Sequence, residues 1–443
     1  MKIQQSEKME NIVVIGGGLM GSSVAWELSN YGEKVLLLEQ QSKTYRNGSS
    51  YGEARISRSL GAKKDIFSFV NNRTVTEVEK LLNFLNGIED NKRHKMKDIY
   101  STSPVSYLFN KKLHQESIQK LTYKKQKDNY RKASGDNAFR KFGVTIPDTQ
   151  LLIREYKKHS GTLNPTALIK KLRLGIEKKG NTVKYNQKVI KIRQQNGFYE
   201  LKIRNQKTGK TKKIQTKQVV VAAGPYAPKL LKEIAPYFDK LITPKRVFLS
   251  FFKIKKSRFL QLSKAERKNI LNAFPMFDQI GEQFFGMIEA FDKHGSPTFK
   301  VGGHKIRRNI IDIDKVWKEK PRKKETKWAK KHFRKYLEML EIYIDKKDIE
   351  YVESYNCIYS VTKSEIPFVT NVLDNNNAID KRMVVVGGMS GVGAKGCLAY
   401  GMLAADLLLG VEESSTIYQK TKKELGTPVL RLQTKKLKKN RLF

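Results

Sequence analysis

An α/β fold, in which a parallel, helix-covered sheet is interleaved with an α+β part built on a mixed or antiparallel sheet, is predicted by three stretches of the 443-residue chain. Residues 11 to 39 read as strand NIVVI, glycine turn GGGLMG, helix SSVAWELSNYG and strand KVLLLEQ. Residues 247 to 304 hold three strand-like runs, VFLSFFKI, QFFGMIEAF and SPTFKVGGH, spaced closely enough to pair antiparallel. Near the end, strand RMVVVGG, a second glycine-rich turn and helix CLAYGMLAADLLLG repeat the first pattern.

In chain order, the unbroken β-branched run before the first turn marks a strand buried on both faces. The polar loop NGSSYGEARISRSL follows, and residues 72 to 155 are polar and basic with scattered apolar anchors, so few elements can be placed there. In GTLNPTALIKKLRLGIEKKGNTVKYNQKV, Asn164 can cap a helix with Pro165 at its first position, ending near Gly180. GFYELKIRN and KKIQTKQVVVAAG read as meander strands, the second apolar enough to enter a sheet interior. Residues 324 to 344 carry Trp328, Phe333, Tyr336, Leu337 and Leu340 near helical spacing and predict one long amphipathic helix.

Gly16, Gly18 and Gly21 form a G-x-G-x-x-G triplet between strand and helix, and Glu39 ends the next strand. The glycines permit a tight turn and close backbone approach, the helix N-terminus faces a pyrophosphate, and Glu39 can accept from ribose hydroxyls. The pattern fits a Rossmann-like site for an adenine dinucleotide. It does not separate FAD from NAD, although an acid at position 39 argues against the ribose phosphate of NADP.

Composition excludes other classes. Two cysteines cannot build a disulfide framework, and no Cys/His cluster shows zinc spacing, so no metal is expected. No run reaches the roughly 18 apolar residues of a membrane span, and Ile12 to Ile15 is too short for a signal-peptide core; a cytoplasmic location without membrane association is expected. The 87 Lys and Arg against 43 Asp and Glu give a formal charge of +44, which could favour polyanions. The excess is mostly lysine in KKLHQESIQKLTYKKQKDNYRK, PRKKETKWAKKHFRKY and TKKLKKNRLF, with no nucleic-acid-binding pattern beside it. Solvated faces are favoured over a nucleic-acid partner, which stays open. Cys397 lies in an apolar helical run and reads as packing, which leaves Cys357, in NCIYSVTKSEIP, as the thiol to explain.

From NGSSYGEARISR onward the chain resembles the monomeric sarcosine oxidase family, FAD-dependent amine and amino-acid oxidases that include N-methyltryptophan and pipecolate oxidases. GTLNP, VVVAAGPYAPKLL, FKVGGH, NCIYSVTKSEIP and GGMSGVGAKG carry the resemblance in chain order. It implies a discontinuous FAD-binding domain of residues 1–90, 155–235 and 355–443, and a substrate domain of residues 91–154 and 236–354.

The resemblance also implies roles. Cys357 would join its sulfur covalently to the flavin, a reaction helped by a nearby cation. Arg58 and Lys395 would grip a substrate carboxylate, a task suited to a guanidinium fork plus a point charge. Arg55 would lie beside the opposite flavin face, and Lys300 near the ring, where a fixed positive charge favours electron transfer to oxygen. His304 and Tyr359 would line the substrate pocket. Ser49, Gly224, Gly391, Gly393 and Lys395 itself would contact the cofactor, with the helix after Gly396 aimed at the flavin pyrimidine.

Three departures put sarcosine itself in doubt. Ser50 and Tyr51 stand where the sarcosine oxidases carry two histidines, Phe285 replaces a tyrosine, and the loop from Gly286 to Lys300 is longer.

The expected activity is oxidation of a C–N bond of an amino acid or an N-alkyl or cyclic amino acid, giving an imine and hydrogen peroxide. The expected partners are that small molecule and oxygen, and the expected state is a monomer. Two alternatives remain: a dehydrogenase of the same fold passing electrons to a carrier, and a flavoprotein that interacts with RNA.

Overall fold

The computed structural model describes residues 9–44, 48–60, 64–89, 93–122, 124–156, 159–281, 283–303, 308–310, 312–373 and 378–426. Its first sheet has eight strands around a parallel centre. Glu10–Ile15 lies between Val35–Leu38 and the C-terminal half of Thr211–Val221, parallel to both, and Thr182–Lys184 extends the sheet beyond Val35–Leu38. Ile379–Gly387 joins the far side of Val219–Val221, also parallel. The N-terminal half of Thr211–Val221 turns antiparallel and continues through Tyr199–Asn205 to Gln187–Gln194, the expected meander.

Helices cover the centre, which is why its strands read as unbroken apolar runs. Helix Leu19–Asn30 packs against Cys397–Leu409, and an added side chain at Gly401 would meet Ser23 at 2.7 Å. Gly21 is more constrained still, because a Cβ there would sit 1.7 Å from the carbonyl oxygen of Gly16. The turn can close against the helix only where no side chain intervenes. Asn164 Oδ1 accepts from Ala167 N–H at 2.9 Å and caps helix Pro165–Lys178, as its sequence predicts.

The second sheet has nine strands, chiefly antiparallel, and borders the first. Thr243–Ile254 runs between Pro297–Gly303 and Ile349–Val361, and Phe284–Phe291 forms a hairpin with Pro297–Gly303. Helix Lys323–Glu338 covers the outer face. Phe333 packs on Phe299 with ring centroids 4.7 Å apart and on Phe252 at 6.0 Å. Truncating such a buried ring to alanine costs about 3–5 kcal/mol.

Two expectations need correction. The helix read over 324–344 ends at Glu338, because Glu341 adopts a left-handed φ of 59° and turns the chain. Ile342 and Ile344 still reach the core, from the turn rather than from the helix. The stretch from 72 to 155, where few elements could be placed, is rich in regular structure. It contains most of helix Lys64–Ile88 and the strands Val105–Asn110, Tyr130–Ala133 and Gln150–Glu155. Val78, Leu81, Leu82 and Leu85 form the helix's inner face, with Asn, Lys and Glu between them hiding the stripe.

Candidate functional site

A cavity of about 530 Å³ runs along the seam between the two sheets. Its near end is built from the first glycine turn: Gly16, Gly18, Leu19 and Glu39 line it, with Gln41, Lys188 and Val189. Glu39 is buried and doubly held, one oxygen accepting from Gly17 N–H and the other from Gln41 N–H, each at 2.7 Å. Arg173 Nη2 lies 3.9 Å from Glu39 and donates to the Gly17 carbonyl at 2.5 Å. The turn cannot carry side chains, since a Cβ at Gly17 would come within 2.9 Å of Glu39. Gly21 does not line the cavity; its place is the helix–turn contact described above.

The far end is made by the second sheet and the closing loop. Register pairs Cys357 with Val247 and Tyr359 with Lys245, and period-two alternation puts Tyr355, Cys357 and Tyr359 on one face. Cys357, Tyr359, Arg55, Lys300, Ser49, Gly224, Gly391 and Gly393 all line the cavity, beside Val247, Leu249, Phe285 and Met287. Cys357 Sγ donates to Ser49 Oγ at 3.4 Å, and Ser49 donates to the Ile358 carbonyl. Gly391, at φ 88°, lets Tyr359 lie against the loop; a Cβ there would meet the ring at 2.6 Å.

Arg55 donates to the carbonyls of Ala54 at 2.8 Å, of Ser49 at 3.1 Å and of Tyr51, so its guanidinium ties this loop together. Burial works against its charge, but Tyr355, Cys357 and Glu289 outweigh burial and hold Arg55 above its ordinary range. Lys300 is 1% exposed, donates to the Ala54 carbonyl at 2.5 Å and is ion-paired with Glu289. Burial brings its ammonium down to about 8; Glu289 opposes that fall and Arg55 adds to it.

Arg58 and Lys395 come together in a second cluster that is not part of the cavity wall, although Gly393 and Ala394, just before Lys395, are. The Arg58 guanidinium lies 4.5 Å from the Phe277 ring centre and 5.4 Å from that of Tyr107. Lys395 Nζ sits 4.3 Å over the Phe67 ring, is buried, and has no hydrogen-bond partner among the described residues. Burial, with Arg58 as the next cause, pulls it well below the usual lysine range. His304 lies outside the described residues.

Three groups escaped sequence reading. Glu289 sits where the hairpin register shifts between Ile288 and Ala290. Glu155 is buried beside the cationic pair and accepts from Ser59 N–H at 2.8 Å, Ser160 Oγ at 2.6 Å and Tyr107 OH at 3.1 Å. Asp314, in helix Ile313–Val316, ties to the first sheet's side of the cavity, accepting from Tyr226 OH at 2.6 Å and pairing with Lys188 at 3.3 Å. Only Glu155 left a trace, as an isolated acid closing the apolar run LLIRE.

An adenine dinucleotide fits these walls. The glycine turn leaves backbone space, the helix N-terminus and cationic side chains suit phosphates, and Glu39 suits ribose. Among the described residues, no group of acidic, His and Cys side chains could hold a metal ion, and no helix is long and apolar enough to cross a membrane.

Known proteins agree on this architecture. A probable sarcosine oxidase of Arabidopsis thaliana is 26% identical over 411 residues, covering 91% of this chain and 88% of the relative. Among solved structures, NikD, an unusual amino acid oxidase of nikkomycin biosynthesis, superposes with a TM-score of 0.70 at 16% identity, covering 93% of this chain and 96% of its own. L-proline dehydrogenase from P. horikoshii gives a TM-score of 0.69 at 16% identity with the same coverage, and at that identity the likeness speaks to fold. The family profile described as FAD dependent oxidoreductase matches residues 11–407, so with this cavity and this sheet order the chain belongs to the FAD-dependent oxidoreductases.

Proposed function

We propose that the protein is an FAD-dependent oxidase of an amino acid or of an N-alkyl or cyclic amino acid, giving an imine and hydrogen peroxide. The observation that carries the reading is the meeting, in one cavity, of a dinucleotide turn with Cys357, Arg55, Lys300 and Tyr359. The names of the relatives, a probable sarcosine oxidase and an amino acid oxidase, point to the same substrate class.

FAD, when bound, supplies the two-electron acceptor. The chain's own residues do the rest. Gly16, Gly18 and Glu39 would anchor the nucleotide, and Cys357 would hold the far end through a thioether to the flavin, the two hydrogens lost in forming it passing to oxygen as hydrogen peroxide. Arg58 offers an amino-acid carboxylate a guanidinium whose desolvation has already been met by the fold, and Lys395 an amine that takes up a proton as the carboxylate arrives. Glu155 already balances Arg58, so the proton drawn to Lys395 supplies the one positive charge that matches one carboxylate. Tyr359 and Phe285 wall the reacting end, and Lys300 places a cation there for the oxygen step. Arg55 fixes the loop between residues 49 and 55 against that end. We place the enzyme in the cytoplasm as a monomer, with its cofactor-binding and substrate-binding parts dividing as the sequence suggests.

A dehydrogenase reading draws on one specific feature, the pairing of Lys300 with Glu289, which offsets the charge offered to oxygen. A panel of primary, secondary and cyclic amino acids separates the two. One equivalent of hydrogen peroxide per imine formed supports the oxidase. Turnover only with an added dye acceptor, and no peroxide, overturns it.

A further inference from the structure

Glu289 is not in the cavity wall, yet its carboxylate governs two groups that are. It occupies the extra position where the hairpin Phe284–Phe291 and Pro297–Gly303 slips register, with Met287 paired to Lys300 on one side of the slip and Ala290 to Thr298 on the other. Such a bulge re-aims a side chain that regular alternation would send elsewhere. Here the carboxylate is received by a prepared socket. One oxygen accepts from Glu53 N–H at 2.6 Å, and the other from Ala54 N–H at 3.1 Å and from Lys300 Nζ. The same Ala54 returns its carbonyl to Lys300 at 2.5 Å, so loop, bulge and lysine close a ring of hydrogen bonds. Gly52, at φ 115°, leaves the space required: a Cβ there would lie 2.8 Å from Glu289 and 3.0 Å from Arg55.

We propose that Glu289 is a positioning residue that holds Lys300 extended toward the cavity and keeps it cationic in a buried setting shared with Arg55. The inference rests on the reading of the cavity as the flavin site and extends it to how the charge at its reacting end is maintained.

The balance of charges supports this. Facing Lys300 are Arg55 from the strand Arg55–Ser57, Glu289 from the hairpin and Cys357 from Ile349–Val361, whose Tyr355 and Tyr359 face Arg55. The strand Thr243–Ile254 contributes the Phe251 ring, 5.8 Å from the ammonium. A buried cation beside a half-buried one cannot keep its charge without a fixed anion. Burial would raise Glu289, but Lys300 and then Arg55 hold it below the ordinary carboxylate range, so it supplies that anion at neutral pH. Without it, Lys300 loses its main support and Arg55 continues to repel its proton, so the lysine turns neutral at a lower pH.

The test uses the flavin-loaded enzyme, with Glu289→Gln, Glu289→Asp and Lys300→Met variants. The readout is the pH dependence of the bound flavin's visible absorption, with stopped-flow rates of its reduction by substrate and reoxidation by oxygen. The wild type is expected to show a spectral transition near pH 8 that Lys300→Met abolishes. Glu289→Gln should move the midpoint down by about one pH unit or more, and Glu289→Asp should restore most of the shift. At pH 7.5, Glu289→Gln should slow reoxidation about threefold or more and change reduction less than about twofold.

A midpoint that stays in place in Glu289→Gln overturns the proposal, and so does a transition that survives in Lys300→Met. Should Glu289→Gln fail to fold, Glu289→Ala takes its place, and a midpoint that stays put there overturns the proposal equally. A wild-type protein that purifies without flavin defeats the functional reading instead, so the two failures are told apart.

Discussion

Two buried lysines stand near the same cavity in opposite circumstances. Lys300 is 1% exposed and satisfied by a carboxylate and a carbonyl, whereas Lys395 is 3% exposed and its ammonium rests on the Phe67 ring. A buried cation with a built-in partner is a fixed part of the electrostatic landscape, and one without a hydrogen-bond partner is held ready for an anion that comes and goes. On the proposed reading, the paired lysine supplies charge at the reacting end and the other takes up its charge with the substrate.

The largest expected effect tests the paired lysine. Lys300→Met should slow reoxidation by oxygen by about 10²–10³-fold in stopped-flow traces while leaving reduction by substrate nearly unchanged. Equal loss in both half-reactions would erase the distinction between the two lysines. Next comes the lysine kept for substrate. Lys395→Met should raise the KM for an amino-acid substrate by about tenfold to a hundredfold, the range of a lost charge-assisted hydrogen bond. Stability should move in opposite directions. Lys300→Met strands the Glu289 carboxylate and costs about 3 kcal/mol, whereas Lys395→Met removes an unsatisfied amine and stabilises by about 1 kcal/mol in denaturant titrations.

Protonation sharpens the contrast further. Because burial and Arg58 depress Lys395, a carboxylate arriving beside it should draw in a proton. Calorimetry of a carboxylate inhibitor in buffers of different ionisation enthalpy should show uptake that grows with pH, and the effect should vanish in Lys395→Met.

The smallest effect concerns a buried acid far from the cavity. Burial, and then Glu77, raise Glu27 from 4.5 to about 8, and one of its oxygens has no hydrogen-bond partner among the described residues. A carboxyl raised on folding contributes stability that is full below pH 4.5 and lost as pH climbs through about 8. Glu27→Gln should therefore flatten this slope and add on the order of 1 kcal/mol at pH 8.

Much of the architecture is legible in the chain itself. The strand–glycine–helix unit, the Asn164 cap and the run VVVAAG obey local rules, so their positions in the first sheet follow from periodicity and turn chemistry. Cys357, Tyr359 and Lys300 lie on strands whose inward faces are set by period two, and their convergence needed only the right strands to pair. Glu289 was hidden because a register slip is decided between strands and leaves no mark along one. The helix through residues 64–88 was hidden differently: its apolar stripe is narrow, and tertiary packing against Cys397–Leu409 rather than propensity stabilises it. Lys395 stands out in the sequence, but its lack of a hydrogen-bond partner among the described residues is a fact of burial that spacing cannot express.

The central claim is that one flavin lies in this cavity with its ring against Cys357. Acid precipitation of the purified protein, followed by proteolysis and mass measurement of the peptide containing Cys357, tests it most directly. Yellow colour retained in the pellet, with that peptide heavier by the mass of FAD less two hydrogens, is the result predicted. A colourless pellet with Cys357 unmodified, from protein that releases no flavin into the supernatant, would contradict it.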